Sequence, residues 1–100
     1  LVDNNQICML GPTDEIVSHR NLMEKFAAFG WATFAVEDGH SVDQLYEVFS
    51  IASAHKTGKP KVVVANTKKG NRVPGLENTP LSHVTAIKPD LINRLLGEDE

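Results

Sequence analysis

The sequence has little of what marks several classes of protein. Cysteine occurs once, as Cys8, so no internal disulfide forms and no Cys/His zinc framework is present; a reducing, cytoplasmic setting fits that usage. Lys and Arg number 10 against 13 Asp and Glu, a formal net charge of -3, and no basic stripe is interleaved with aromatics. Nucleic acid is therefore not an expected partner. A small basic cluster, Lys68, Lys69 and Arg72, is of the kind that usually forms a solvated turn and can meet a phosphate. No apolar run approaches the length of a membrane-spanning helix, and a membrane is not an expected partner either. Internal repeats and low-complexity segments are absent. One hundred residues hold one domain with a modest core, burying about 65% of the surface of the unfolded chain. The chain opens on Leu1, in mid-strand, as a piece of a larger protein would.

What is there alternates between two periods. Leu1 to Asn4 is a short strand closed by Asp3, Asn4 and Asn5, all poor strand formers, and followed by the turn signal Gly11-Pro12-Thr13-Asp14. Thr13 to Glu15 is positioned to cap a short turn. Asn21 to Phe29 carries apolar residues at helical spacing, with Gly30 as its stop. Trp31 to Val36 is almost continuously apolar, as in a strand covered on both faces. Ser41 is an N-cap for a helix running to about His55, with Val42, Leu45, Val48, Phe49 and Ala52 on one face. Lys61 to Asn66, built around Val62-Val63-Val64-Ala65, is a third strand buried on both sides, and Pro89 to Leu96 is a last helix before the acidic end Gly97 to Glu100. Leu22, Phe26, Phe29, Trp31, Phe34 and Phe49 are expected in the core. The alternation predicts an α/β fold: a three-layer arrangement around a parallel sheet with right-handed crossovers.

Parallel strands put their C-terminal ends on one edge, so the loops after Asn4, Val36 and Asn66 are expected to open together, where open α/β sheets bind ligands. A carboxamide there is a neutral, hard oxygen donor suited to Mg²⁺ or Ca²⁺, and a backbone carbonyl two residues on can be a second. Asn5 with Ile7 is such a pair, although an Asn cluster after a strand is most often a plain turn. Asn4 is the residue expected to close that turn. The stretch 67–88 is too long for a passive connection and is expected to carry function. Within it His83 can donate to phosphate oxygens or move a proton, although most loop histidines are exposed bystanders. His40 is expected to shape the turn before the helix that Ser41 caps, and His19 and His55 to be solvated.

Asp3-x-Asn5 closing the first strand, Ala28-Phe29-Gly30-Trp31, Asp38-Gly39-His40, Thr67-x-Lys69-Gly70, and Glu77-Asn78 followed by His83 occur in an order and spacing that resembles the second half of the diphosphate-binding domain of transketolase. The resemblance covers about residues 1–90, and it implies that residues 1–100 are the C-terminal half of such a domain, a partial thiamine diphosphate-binding fold. It further implies thiamine diphosphate held through Mg²⁺ or Ca²⁺, a sugar-phosphate substrate, and transfer of a two-carbon ketol unit. It assigns Asn5 and the carbonyl of Ile7 to the metal, His83 to the diphosphate and the reacting sugar, and Lys69-Gly70 to the cofactor lining. The family's upstream Gly-Asp-Gly, which supplies the metal's Asp, does not occur in the chain. Val84 stands where the family has Gly after the histidine, and Asn71-Arg72-Val73-Pro74 replaces a Gly-rich continuation. By itself the chain is expected to be inactive and to form homo-oligomers or associate with the missing half. The related deoxyxylulose phosphate synthase, another enzyme of the same cofactor, or a non-catalytic folding or assembly module are the alternatives.

Overall fold

The computed structural model describes residues 1–97; the acidic end expected at Glu98 to Glu100 lies outside them. In chain order the elements are β1 (Val2–Asn4), β2 (Ile7–Cys8), β3 (Gly11–Pro12), α1 (Thr13–Ile16), α2 (Leu22–Ala28), β4 (Ala32–Val36), α3 (Val42–Ala54), β5 (Lys61–Asn66) and α4 (Pro89–Leu96). The main sheet has the order β1-β5-β4, and both pairings are parallel. β5 is central because it alone is apolar at four successive positions: Val62, Val63, Val64 and Ala65 are all buried. It pairs with β1 from Val2↔Val64 to Asn4↔Asn66 and with β4 from Ala32↔Lys61 to Val36↔Ala65.

The connection from β1 to β4 passes across β5, and the connection from β4 to β5 travels back. Two right-handed crossovers running in opposite directions place their helices on opposite faces of the sheet, so α2 and α3, which each pack on β4 and β5, enclose it as three layers. On the α3 side the core is Val36, Ala52, Val63 and Ala65, with Phe34, Leu45 and Val48 packed against them. Phe34 and Val36, and likewise Val63 and Ala65, are two apart and so share one face.

Local chemistry fixes the helix ends. The Oδ1 of Asn21 accepts the Glu24 N–H at 3.2 Å and starts α2, and Gly30, at φ 85°, takes the left-handed conformation that ends it. The Oγ of Ser41 accepts the Gln44 N–H at 3.3 Å and starts α3. α4 has Pro89 at its first turn and Gly97 in the left-handed conformation after its last.

Several expectations are corrected. Gly11-Pro12 is not a turn but the second arm of a small antiparallel ribbon with Ile7–Cys8; two-residue strands show no period from which they can be read. Phe29, Trp31 and Phe49 are not core residues, being 84%, 36% and 44% exposed. Phe29 is the C-cap of α2, at the turn that leads into β4, and Phe49 flanks the Leu45, Val48 and Ala52 stripe that a three-stranded sheet is wide enough to cover. Trp31 stacks at a tilt on Phe26, centroids 5.3 Å apart. His55 is half-buried, its ring edge-on to Phe34. The Cα radius of gyration, 17.1 Å, exceeds the roughly 13 Å of a compact domain of this length, because α4 makes no substantial packing contact with another element.

Candidate functional site

All three loops of the parallel strands leave from one edge, and hydrogen bonds between side chains and backbone tie them together there. From β1, Asn4 Nδ2 donates to Asn66 Oδ1 at 2.8 Å, and the Asn4 carbonyl accepts the Thr67 N–H at 3.3 Å. The Thr67 hydroxyl donates to the Asp3 carboxylate. Asn4 therefore joins two strands instead of closing the turn after β1. That turn is closed by Asn5, whose Oδ1 accepts the Ile7 N–H at 3.1 Å, while Gln6 sits at φ 61° and its carbonyl accepts the Thr13 N–H at 3.0 Å.

The loop after β4 crosses the end of β5 at very short range. The Gly39 N–H donates to the Asn66 carbonyl at 2.7 Å, and a Cβ at Gly39 would lie 2.6 Å from Thr67 Cγ2 and 2.8 Å from the Asn66 carbonyl oxygen. Only glycine fits this approach. Asp38 Oδ1 accepts the His40 N–H at 3.0 Å, Gln44 Oε1 accepts the Asp38 N–H at 3.0 Å, and His40 Nε2 accepts the Lys68 N–H at 2.8 Å.

Residues 67–80 fold back on themselves. Lys69 Nζ donates to the Pro80 carbonyl at 2.8 Å, and the Asn78 N–H donates to the Lys69 carbonyl at 2.8 Å. Glu77 Oε2 accepts the Arg72 N–H at 2.9 Å, and its Oε1 lies 3.9 Å from Lys68 Nζ. Leu76 is buried beneath the loop. Gly70 has φ 67°, and a Cβ there would lie 2.5 Å from the Leu76 carbonyl oxygen.

Two polar clefts flank the Thr67-Lys68 turn. One, of about 400 Å³, is lined by Asn5, Gln6, Ile7, Pro12, Thr67, Lys68 and Asn78. The other, of about 540 Å³, is lined by residues of the β4 loop and of the end of β5 with its loop, including Asp38, His40, Asn66, Lys68, Arg72 and Glu77. Asn5 and Ile7 thus face one space with the Thr67-Lys68 turn opposite them. Lys69 and Gly70 line neither cleft, and the bonds and close approach above give both a part in building the loop. His83 is exposed and lines neither cleft; beside it the Ser82 hydroxyl is buried with no hydrogen-bond partner, which marks an incomplete polar environment.

Asn5 and Ile7 bring to the lining of the smaller cleft a carboxamide and a main-chain carbonyl, donors of the kind a hard cation takes, with Lys68 in the same lining. Among the described residues no group of three or more His, Cys, Asp or Glu converges on a point, so these neutral donors fit one side of a metal–diphosphate site and supply none of its negative charge. Sequence reasoning did not find the His40–Lys68 and Asn4–Asn66 links. Each joins residues far apart in the chain, and the signal that pointed nearest to them was the Asp38-Gly39-His40 and Thr67-x-Lys69-Gly70 motifs themselves.

Comparison with known proteins gives the family. The transketolase, thiamine diphosphate binding domain, family profile matches residues 1–97. Similar proteins include an uncharacterized transketolase family protein of Sinorhizobium fredii, 33% identical over 89% of this chain and 32% of its own length. A transketolase of Aquifex aeolicus is 33% identical over 81% of this chain and 11% of its own, and an apulose-4-phosphate transketolase subunit of Actinobacillus succinogenes is 32% identical over 96% of this chain and 34% of its own. The chain spans at most about a third of the length of these relatives. With its parallel sheet, its collinear motifs and a profile match along almost its entire length, the chain belongs to the transketolase family, in the thiamine diphosphate-binding domain.

Proposed function

We propose that this chain is the C-terminal half of a transketolase-family diphosphate-binding domain, working in the cytoplasm within a protein that moves a two-carbon ketol unit between sugar phosphates. The observation that carries the reading is the cleft that Asn5 and Ile7 share with the Thr67-Lys68 turn at the C-terminal edge of the sheet. The Asn5 carboxamide and the Ile7 carbonyl hold Mg²⁺ or Ca²⁺ from one side, and an upstream carboxylate completes the set. The bound thiamine diphosphate supplies the reactive carbon and the electron sink of the reaction. Lys69 and Gly70 keep the loop folded along the cofactor, and His83, on the same loop, reaches diphosphate or substrate once the rest of the protein surrounds it. Three of the relatives are named as transketolase subunits, which supports a part that works with another chain or in a homo-oligomer.

Calorimetry of the intact protein with Mg²⁺ and thiamine diphosphate tests the reading. Metal-dependent binding is expected, Asn5→Ala weakening it by at least about tenfold, and His83→Ala lowering turnover by about a hundredfold with little change in metal dependence. The 100 residues by themselves are expected to bind weakly or not at all and to show no ketol transfer. Tight binding by those residues in isolation, or undiminished binding by the intact Asn5→Ala protein, rules the assignment out.

A further inference from the structure

The geometry points to His40 as a positioning residue that sets one wall of the metal–diphosphate cleft from behind, an inference that rests on the function proposed above. The wall is the Thr67-Lys68 turn, whose two residues line both clefts. Its two residues are anchored separately. Thr67 is tied to β1, through the Asn4 carbonyl and the Asp3 carboxylate. Lys68 is tied to the β4 loop, through the bond from its N–H to His40 Nε2 at 2.8 Å. No comparable restraint comes from the Lys68 side chain, which is 61% exposed and whose ammonium lies 3.9 Å from Glu77 Oε1, a contact of small energy. His40 lines the larger cleft and not the one containing Asn5 and Ile7, so it acts on the proposed metal side through Lys68 without touching what binds there.

The chemistry of the bond specifies the form of the ring. Nε2 accepts, so this nitrogen carries no proton while the bond is made. Its own backbone is held by Asp38 Oδ1 on one side and, one residue earlier, by the Gly39 contact with the end of β5. The ring is thereby mounted on a short, rigid bridge between β4 and β5. Since His40 is exposed, its ring adds little to the core, and removing the acceptor separates positioning from folding.

The test uses the intact protein in three forms: wild type, His40→Leu, which deletes the acceptor, and His40→Gln, whose Oε1 takes the place of Nε2. Hydrogen exchange at the Lys68 amide is read without cofactor, and the Kd for Mg²⁺–thiamine diphosphate is read by calorimetry. His40→Leu is expected to speed exchange at Lys68 and to raise the Kd about three- to tenfold, the worth of one hydrogen bond, with the thermal midpoint unchanged; His40→Gln restores both. Unchanged exchange in His40→Leu overturns the inference, as does faster exchange with an unchanged Kd, or a Gln variant that regains slow exchange but not affinity. A wild-type protein that binds no cofactor overturns the proposed function and this inference with it, whereas normal wild-type binding that His40→Leu leaves untouched overturns this inference only.

Discussion

β5 and α4 are both apolar in sequence, and they end in opposite surroundings. In β5, Val62 to Ala65 are 3–5% exposed, with a strand on either side and a helix on each face. In α4, Ile92, Leu95 and Leu96 are 43%, 41% and 65% exposed, although the helix is well formed and capped by Pro89 and Gly97. Local signals are enough to make a helix, but they do not bury it. The free energy that holds this fold is concentrated where two layers meet over β5, and the edge of the sheet that carries the clefts is an extension of that strand.

The largest effect is therefore expected at β5. Val64→Asp places an unpaired carboxylate among Val64's apolar neighbours and is expected to cost at least about 3 kcal/mol, enough to remove the cooperative transition in a denaturant titration; a variant that unfolds like wild type would show that β5 is not the centre of stability. Next is Gly70→Ala. Its Cβ meets a backbone carbonyl at 2.5 Å in a left-handed conformation, for an expected loss of about 2 kcal/mol. Gly30→Ala, also left-handed but facing open space, is expected to cost about 1 kcal/mol. The difference between the two glycines, read from chemical denaturation midpoints, isolates the packing of the 67–80 loop from the conformational cost they share.

The same contrast explains what could be read from the sequence. Lys61 to Asn66, the Asn21 to Phe29 helix, the Ser41 cap and the Pro89 to Leu96 helix were legible to within a residue, because burial on two faces, helical periodicity and capping chemistry leave local signatures. Phe29 and Phe49 were misplaced because a period names an apolar face and not the surface that covers it. At the site, the meeting of Asn5 and Ile7 with the third loop followed from parallel topology. The bonds Asn4–Asn66, Asp3–Thr67 and His40–Lys68 span 62, 64 and 28 positions, and no local pattern encodes partners at such distances.

Between the loop and the uncovered helix lie the caps. Ser41→Ala removes the acceptor for the Gln44 N–H at the head of α3, which packs on the sheet, and is expected to cost about 1 kcal/mol. Asn21→Ala removes the equivalent acceptor from α2, with a similar expected loss measured the same way. A loss at Ser41 that approached the effect of Val64→Asp would mean that α3 is held mainly by its end instead of by Leu45, Val48 and Ala52.

The smallest effect is expected in α4, and it defines the other side of the comparison. Leu95 lies in the last turn, 41% exposed, on a helix with no substantial contact to another helix or strand of the described residues. In the 100-residue chain, Leu95→Asp has little buried apolar area to lose. It also sets a carboxylate near the helix C-terminus, where the dipole disfavours it by about 0.5 kcal/mol. The expected change in global stability is within about 0.5 kcal/mol, with the loss confined to the helical circular dichroism of the last turns. Because an amphipathic helix left open is a ready contact for another surface, sedimentation should accompany the denaturation. If Leu95→Asp leaves stability unchanged but dissociates an assembly, α4 is buried between chains. A loss of about 2 kcal/mol or more in a species that sediments as a monomer would instead mean that α4 docks on its own chain, and the contrast with β5 would fail.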